Sequence, residues 1–336
     1  MAALLPPGLI PLLARLGRGD LPEAATRADM AALRAALSLI PPDRAPVLER
    51  ELRAAAGWWA RDADQGLARA LGCVPELGWL LLFHPDGHLR ERAAGAITDS
   101  AATPFEVAAI ALRLNDWAAP VRDAARGLAL RALPEEPAAP VAGFALGALR
   151  HTREWGRWGA VERAVLERAI ARPLVADHIA ARLMQNRSGP LGTALHDLMR
   201  SPVLDRHLPA LARGAARPDI RALATEALLR GEARWRAGWR REWIDRVFNL
   251  ARRAPDIARR PLTVPAPEGL LAEAAGARAL MLRKVAARHL ETGPAHPGED
   301  RAAAARVLAE DPNPAVRERA RRWLSEATAD GSSPAI

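Results

Sequence analysis

Trp235, Trp239 and Trp243 recur every four residues, with Arg236, Arg240 and Arg241 between them. A guanidinium beside an indole can hold a phosphate or carboxylate through paired N–H donors while the flat groups stack, which is binding chemistry rather than bond-making chemistry. The surrounding window, Arg213 to Arg260, carries thirteen arginines against six acids (Asp219, Glu226, Glu232, Glu242, Asp245, Asp256). That local excess accounts for most of the formal charge of +9. On a helix the three tryptophans span an arc of about 80°, with Arg236 and Arg240 at its edge. The competing reading is burial: Val247 and Leu250 fall on or next to the same arc, and Ile244 and Phe248 widen it as a helix packed inside a core requires. Arg221 belongs to the same window, and Arg150, Arg153, Trp155, Arg157 and Trp158 form a second, weaker patch.

Bond-making chemistry finds less support. His84, Asp86 and His88 carry metal-binding groups, but no further ligand stands at a recognised spacing, and a solvated turn is the simpler reading. His178, His196 and His207 are isolated. The chain has no Gly-rich phosphate loop, no Ser-His-Asp order and no His-Glu-x-x-His pattern. Cys73 is the single cysteine, so no internal disulfide or thiolate cluster can form and a reducing cytosol is expected. We therefore expect no catalytic residue, no cofactor and no metal.

The elements that must hold these side chains are helices. In Asn115 to Leu133 a short polar turn leads to Pro120, suited to a first helical turn, and then Val121, Ala124, Ala125, Leu128, Ala129 and Ala132 form one apolar stripe of mostly small residues. Such a stripe must be covered by a neighbour. An aliphatic-Arg pair with Pro or Asp just upstream occurs four times, ending at Arg90, Arg122, Arg221 and Arg317. The first two are 32 positions apart, and the following gaps of 99 and 96 are each close to three times that. These turns resemble the second helix of a HEAT repeat, in the compact variety found in phycobilisome-lyase-type proteins. The resemblance implies an all-α fold, a right-handed α-α superhelix of antiparallel helix pairs forming a HEAT-like solenoid. It covers about two thirds of the chain and brings no functional residue with it.

Composition agrees with helices: alanine abounds, tyrosine is absent and β-branched residues are few. Of 48 basic residues only Lys284 is lysine, a bias that a GC-rich genome explains as well as selection for arginine does. Residues 1–72 lack the repeat motif and are expected to be an N-terminal helical cap. Residues 73–327 are expected to hold the repeats, with a bend or insertion near 255–269 where prolines cluster. Residues 328–336 are expected to be a disordered tail. Thr103-Pro-Phe-Glu106 has the form of a capping box, and Gly269 to His289 reads as one long helix. The N-terminus has no basic region and several prolines, against a signal peptide, and no apolar run has the length to span a bilayer.

A non-enzymatic scaffold or adaptor in the cytoplasm follows, binding another protein through Trp235, Arg236, Trp239, Arg240, Arg241, Trp243 and Arg221, with Arg153 and Arg157 as secondary contacts. The alternative is a nucleic-acid binder using the Arg213–Arg260 region, arginines on phosphates and indoles on bases or sugars. Trp58-Trp59 followed by Asp62 and Asp64 resembles the aromatic and acidic groups of HEAT-like alkylpurine DNA glycosylases, and that resemblance implies a glycosylase activity as a further alternative.

Overall fold

Alanine and leucine at three- and four-residue steps favour helices, and the computed structural model is mostly helical. It describes residues 5–59, 64–133, 135–292 and 299–329. The chain divides into two compact units, 1–179 and 180–336. Among the described residues, the first unit holds α1 (Leu9–Leu16), α2 (Glu23–Leu37), α3 (Ala45–Ala56), α4 (Asp64–Cys73), α5 (Gly78–Leu81), α6 (Gly87–Ala96), α7 (Pro104–Leu114), α8 (Ala119–Ala132), α9 (Ala139–Gly147) and α10 (Ala160–Ile170). The division falls within α11 (Pro173–Gln185). The second unit continues with α12 (Leu191–Leu198), α13 (Leu208–Gly214), α14 (Pro218–Arg230), strands β1 (Glu232–Asp245) and β2 (Leu250–Pro261), then α15 (Leu270–Ala275), α16 (Leu280–Thr292), α17 (Glu299–Leu308) and α18 (Pro314–Ala329).

In the first unit α7 is buried from Phe105 to Leu114, and its Phe105 stacks on Phe83 at 5.9 Å. The capping box starts α7 as its residue types predict: the Thr103 hydroxyl accepts from Glu106 N–H and the Glu106 carboxylate accepts from Thr103 N–H. In the second unit the core after the strands is built from Leu271, Val285, Leu290, Leu308 and Val316.

The arginine motif has a structural basis. Nη1 of Arg90 donates to the carbonyls of His84 and Pro85 (2.8 and 2.7 Å), and Nη1 of Arg122 to those of Asp116 and Trp117 (2.8 and 3.1 Å). Arg317 does the same with Asp311 and Pro312 (2.7 and 3.4 Å). In each case the acceptors lie six and five residues upstream, so the guanidinium ties a helix to the turn that precedes it. Arg90 also forks onto Asp116 of the following turn (2.9 and 3.0 Å), and Asp116 Oδ1 accepts from Ala118 N–H. Arg283 repeats the device with the Ala277 and Arg278 carbonyls and Asp311, although no Pro or Asp precedes it in the expected place. Arg221, one of the four motif residues, makes none of these bonds; its Nε is buried without a partner.

The all-α expectation is overturned by the two-stranded antiparallel sheet of β1 and β2. The chain divides into two units with a sheet inside the second, so the single right-handed superhelix of helix pairs is set aside as well. The stretch expected to be a tryptophan-bearing helix is β1, and most of the proline-rich stretch is β2 and the segment leading from it. The long helix expected over 269–289 is broken at Gly276 into α15 and α16. Within the expected tail, residues 328 and 329 end α18, and residues 330–336 lie outside the described residues.

Candidate functional site: a basic β-hairpin

Local sequence makes 232–261 a hairpin. Gly231 ends α14 in the left-handed region (φ 67), where a residue without Cβ carries no steric penalty. Gly238, Pro255 and Pro261 oppose a continuous helix, while tryptophan and isoleucine favour strand. At the turn Asp245 Oδ1 accepts from Val247 N–H (2.7 Å) and Phe248 N–H (3.1 Å), and Asn249 takes a left-handed conformation (φ 51). Arg241 Nη2 donates to Asn249 Oδ1 at 3.2 Å and holds the turn to the stem.

The base is tied to the helices of its own unit. Arg260 forks onto the buried Asp205 carboxylate (2.6 and 2.9 Å) and donates to the Met199 and Ser201 carbonyls. Thr263 donates to the same carboxylate through its N–H and hydroxyl. Leu262 N–H to the Gly231 carbonyl closes the ring of the hairpin.

Register decides which side chains share a face. Trp235 pairs with Ala258 and Arg236 with Ile257, but Gly238 pairs with Asp256, leaving Ala237 as the extra residue of a bulge. The bulge reverses the alternation. Trp235 therefore lies on the inner face with Ala233 and Ala254, half-buried and 5.9 Å from the Arg200 guanidinium of the helical body. Trp239 and Trp243 lie on the outer face with Arg234, Arg236, Arg241, Arg253 and Arg259. That face is exposed from one end to the other, apart from the half-buried Glu232 and Ala251.

Its aromatic groups grip its cations. The Arg236 guanidinium sits 4.8 Å from the Trp239 ring centre and that of Arg253 sits 5.3 Å from the same ring, while Arg241 lies 4.0 Å from Trp243. An indole orients a guanidinium through its face and leaves the in-plane N–H groups directed outward. Arg236 and Arg253 have no carboxylate partner among the described residues, whereas Glu232 at the base takes Arg234 (2.6 Å) and is 3.9 Å from Arg259. The outer face thus carries five arginines and one glutamate. Inner-face charges are better balanced: Glu242 pairs with Arg252 at 2.6 Å, and that hydrogen bond holds the Glu242 carboxyl below its ordinary range.

The remaining expected residues are distributed differently. Arg240 is exposed but belongs to the inner face, opposite Ala254. Arg221 is half-buried on α14, lining a cleft of about 280 Å³ with Arg213, Thr225, Glu273 and Arg278, away from the ladder of paired strands. Arg153 and Arg157 belong to the first unit: Arg153 is in a short 3-10 turn, Arg157 N–H donates to Asn115 Oδ1, and Trp158 is buried edge-on to Trp155 at 5.4 Å. Ile244, Val247, Phe248 and Leu250, expected to widen a buried arc, are exposed around the turn.

His84, Asp86 and His88 stand together where a turn leads into α6. His84 is buried, not solvated, with its ring 4.5 Å from Trp58. Burial, with help from Arg53 and Arg90 and against the pull of Asp86, lowers its pKa to about 4. Its Nδ1 accepts from Asp86 N–H, and Asp86 Oδ1 accepts from His88 N–H, so this trio builds a turn. Trp59 is exposed with Arg53 5.9 Å from its ring, Asp64 Oδ1 lies 3.6 Å from His84 Nε2, and Asp62 is outside the described residues. Among the described residues no group of three or more His, Cys, Asp or Glu side chains is placed to hold a metal ion, and no helix is long and apolar enough to cross a membrane. No protein-family model, curated protein or solved structure matches the chain.

Proposed function

We propose that the chain is a non-enzymatic binding protein that holds nucleic acid against the outer face of its β-hairpin. The observation that carries this is the pair Arg236 and Arg253, positioned by one indole with no carboxylate partner for either among the described residues. They stand in a row of five arginines along a ribbon about 40 Å long. A two-stranded ribbon is a shape that nucleic-acid grooves admit, and stacked arginines present the in-plane donors that phosphate oxygens accept. The turns held by Arg90, Arg122, Arg283 and Arg317 support grouping the helices with HEAT-type repeats, a class that supplies binding surfaces. The single cysteine supports a cytosolic setting.

A second reading, a protein partner, is favoured by the exposed Trp239 and Trp243 beside arginines, the side chains most enriched at interface hot spots. The two separate in one titration. A fluorescent 20-base-pair duplex should bind the full chain at low salt and dissociate steeply as salt rises. Absence of duplex binding at low salt would overturn the nucleic-acid reading and leave the protein partner.

A further inference from the structure

The end of the hairpin differs from its stem. Val247 and Phe248 are 88% and 81% exposed, and Ile244 and Leu250 beside them are also largely exposed. Their exposure is enforced by the turn: the Asp245 carboxylate caps the N–H groups of Val247 and Phe248, and Asn249 turns the chain in a left-handed conformation while its side chain accepts from Arg241. A surface loop that served only to reverse the chain would be expected to carry polar residues at its most solvated positions. Here two apolar side chains occupy them, with Arg240, Arg241, Arg246, Arg252 and Arg253 close in the chain on either side.

We propose that Val247 and Phe248 form a wedge that enters a duplex from the minor groove and partly unstacks one base step, while the arginines behind them hold the flanking phosphates. This rests on the nucleic-acid reading of the stem. Apolar side chains inserted at a base step kink the duplex toward the major groove and open the minor groove, which gives a ribbon room to lie along it. Charge complementarity selects this occupant over a bilayer. Arg234 and Arg259 form the tenth ladder pair counted from the turn, roughly 30 Å from it. A membrane touched by the turn would leave them several screening lengths of about 8 Å away, whereas a duplex lying along the ribbon engages the row from turn to base.

The test uses the full chain, a duplex carrying 2-aminopurine at successive positions and the same duplex labelled at both ends for distance. Wild-type protein should raise 2-aminopurine emission several-fold at one or two positions and shorten the end-to-end distance. Val247→Ser with Phe248→Ser should still bind the duplex, with affinity reduced no more than about tenfold, but leave emission and distance at their free-duplex values; Phe248→Leu should keep both responses. Thermal melting of each variant checks that exposed positions were changed without unfolding. Binding by the wild type with no emission or distance change overturns the wedge alone. Failure of the wild type to bind duplex overturns the stem reading with it. Uptake by vesicles of anionic phospholipid, lost in the double serine variant and without duplex binding, assigns the turn to a membrane surface and contradicts the proposal.

Discussion

Arginine does two different things in this molecule. In the first unit Arg90 and Arg113 are buried and neutralised, Arg90 by Asp116 and Arg113 by Asp116 and Glu49 (3.0 and 2.7 Å). On the outer face of the hairpin Arg236 and Arg253 are exposed, and they are held by an indole instead of a carboxylate. Burying a guanidinium is costly unless a carboxylate offsets its charge, so the carboxylates that neutralise Arg90 and Arg113 lie within the fold. An exposed one carries no such requirement, and a stacked position with free donors leaves its charge available to another molecule. Net charge alone does not separate the two populations; the identity of each partner does.

The contrast makes graded predictions. Asp116→Ala leaves buried Arg90 without a carboxylate and Arg113 with Glu49 alone, and should destabilise the first unit by about 3–5 kcal/mol in denaturant unfolding; a loss under about 1 kcal/mol would show that the network is not needed. The next effect is on pH. His84 titrates near 4 in the fold against about 6.5 unfolded, so between these values the unfolded chain binds the extra proton. Stability from this group is complete above pH 6.5, falls as the pH drops toward 4 and levels off below it, about 3 kcal/mol in all. His84→Asn should flatten the urea midpoint across that window relative to wild type, and parallel profiles would refute the assignment.

On the hairpin the order reverses, with binding sensitive and stability not. Arg236→Glu with Arg253→Glu should weaken duplex binding about 100-fold while moving stability by no more than about 0.5 kcal/mol. A collapse in melting temperature would make these side chains structural and erase the distinction from Arg90. Trp239→Ala removes the group that orients both guanidiniums but none of the charge, so a smaller loss of about three- to tenfold is expected. An unchanged affinity would show that the indole is dispensable.

The helices and their turns were legible because their signals are local. Pro120, the Thr103–Glu106 box and the small apolar stripe after Val121 each act within a few residues, and the arginine motif pointed to a real clamp at Arg90, Arg122 and Arg317. It misplaced Arg221 and missed Arg283, because the clamp depends on where the preceding turn's carbonyls point and not on Pro or Asp upstream. The hairpin was hidden by an ambiguity of period. A four-residue spacing puts side chains on one face of a helix and equally on one face of a strand, so the tryptophans did not discriminate. The signals that could have done so were the brackets around them: Gly231 and Gly238, Asp245 and Asn249 as turn residues, and Pro255 and Pro261. The bulge that sends Trp235 inward has no sequence signature strong enough to read without the register.

On the proposed function, the hairpin arginines are held ready for phosphates outside the protein. The most direct test is the slope of log binding constant against log salt concentration for a short duplex. About four phosphate contacts predict a slope of roughly −3 to −4 for the wild type, shallower by about two for the Arg236→Glu, Arg253→Glu chain. No binding at low salt, or binding whose slope is the same in both proteins, would contradict the account.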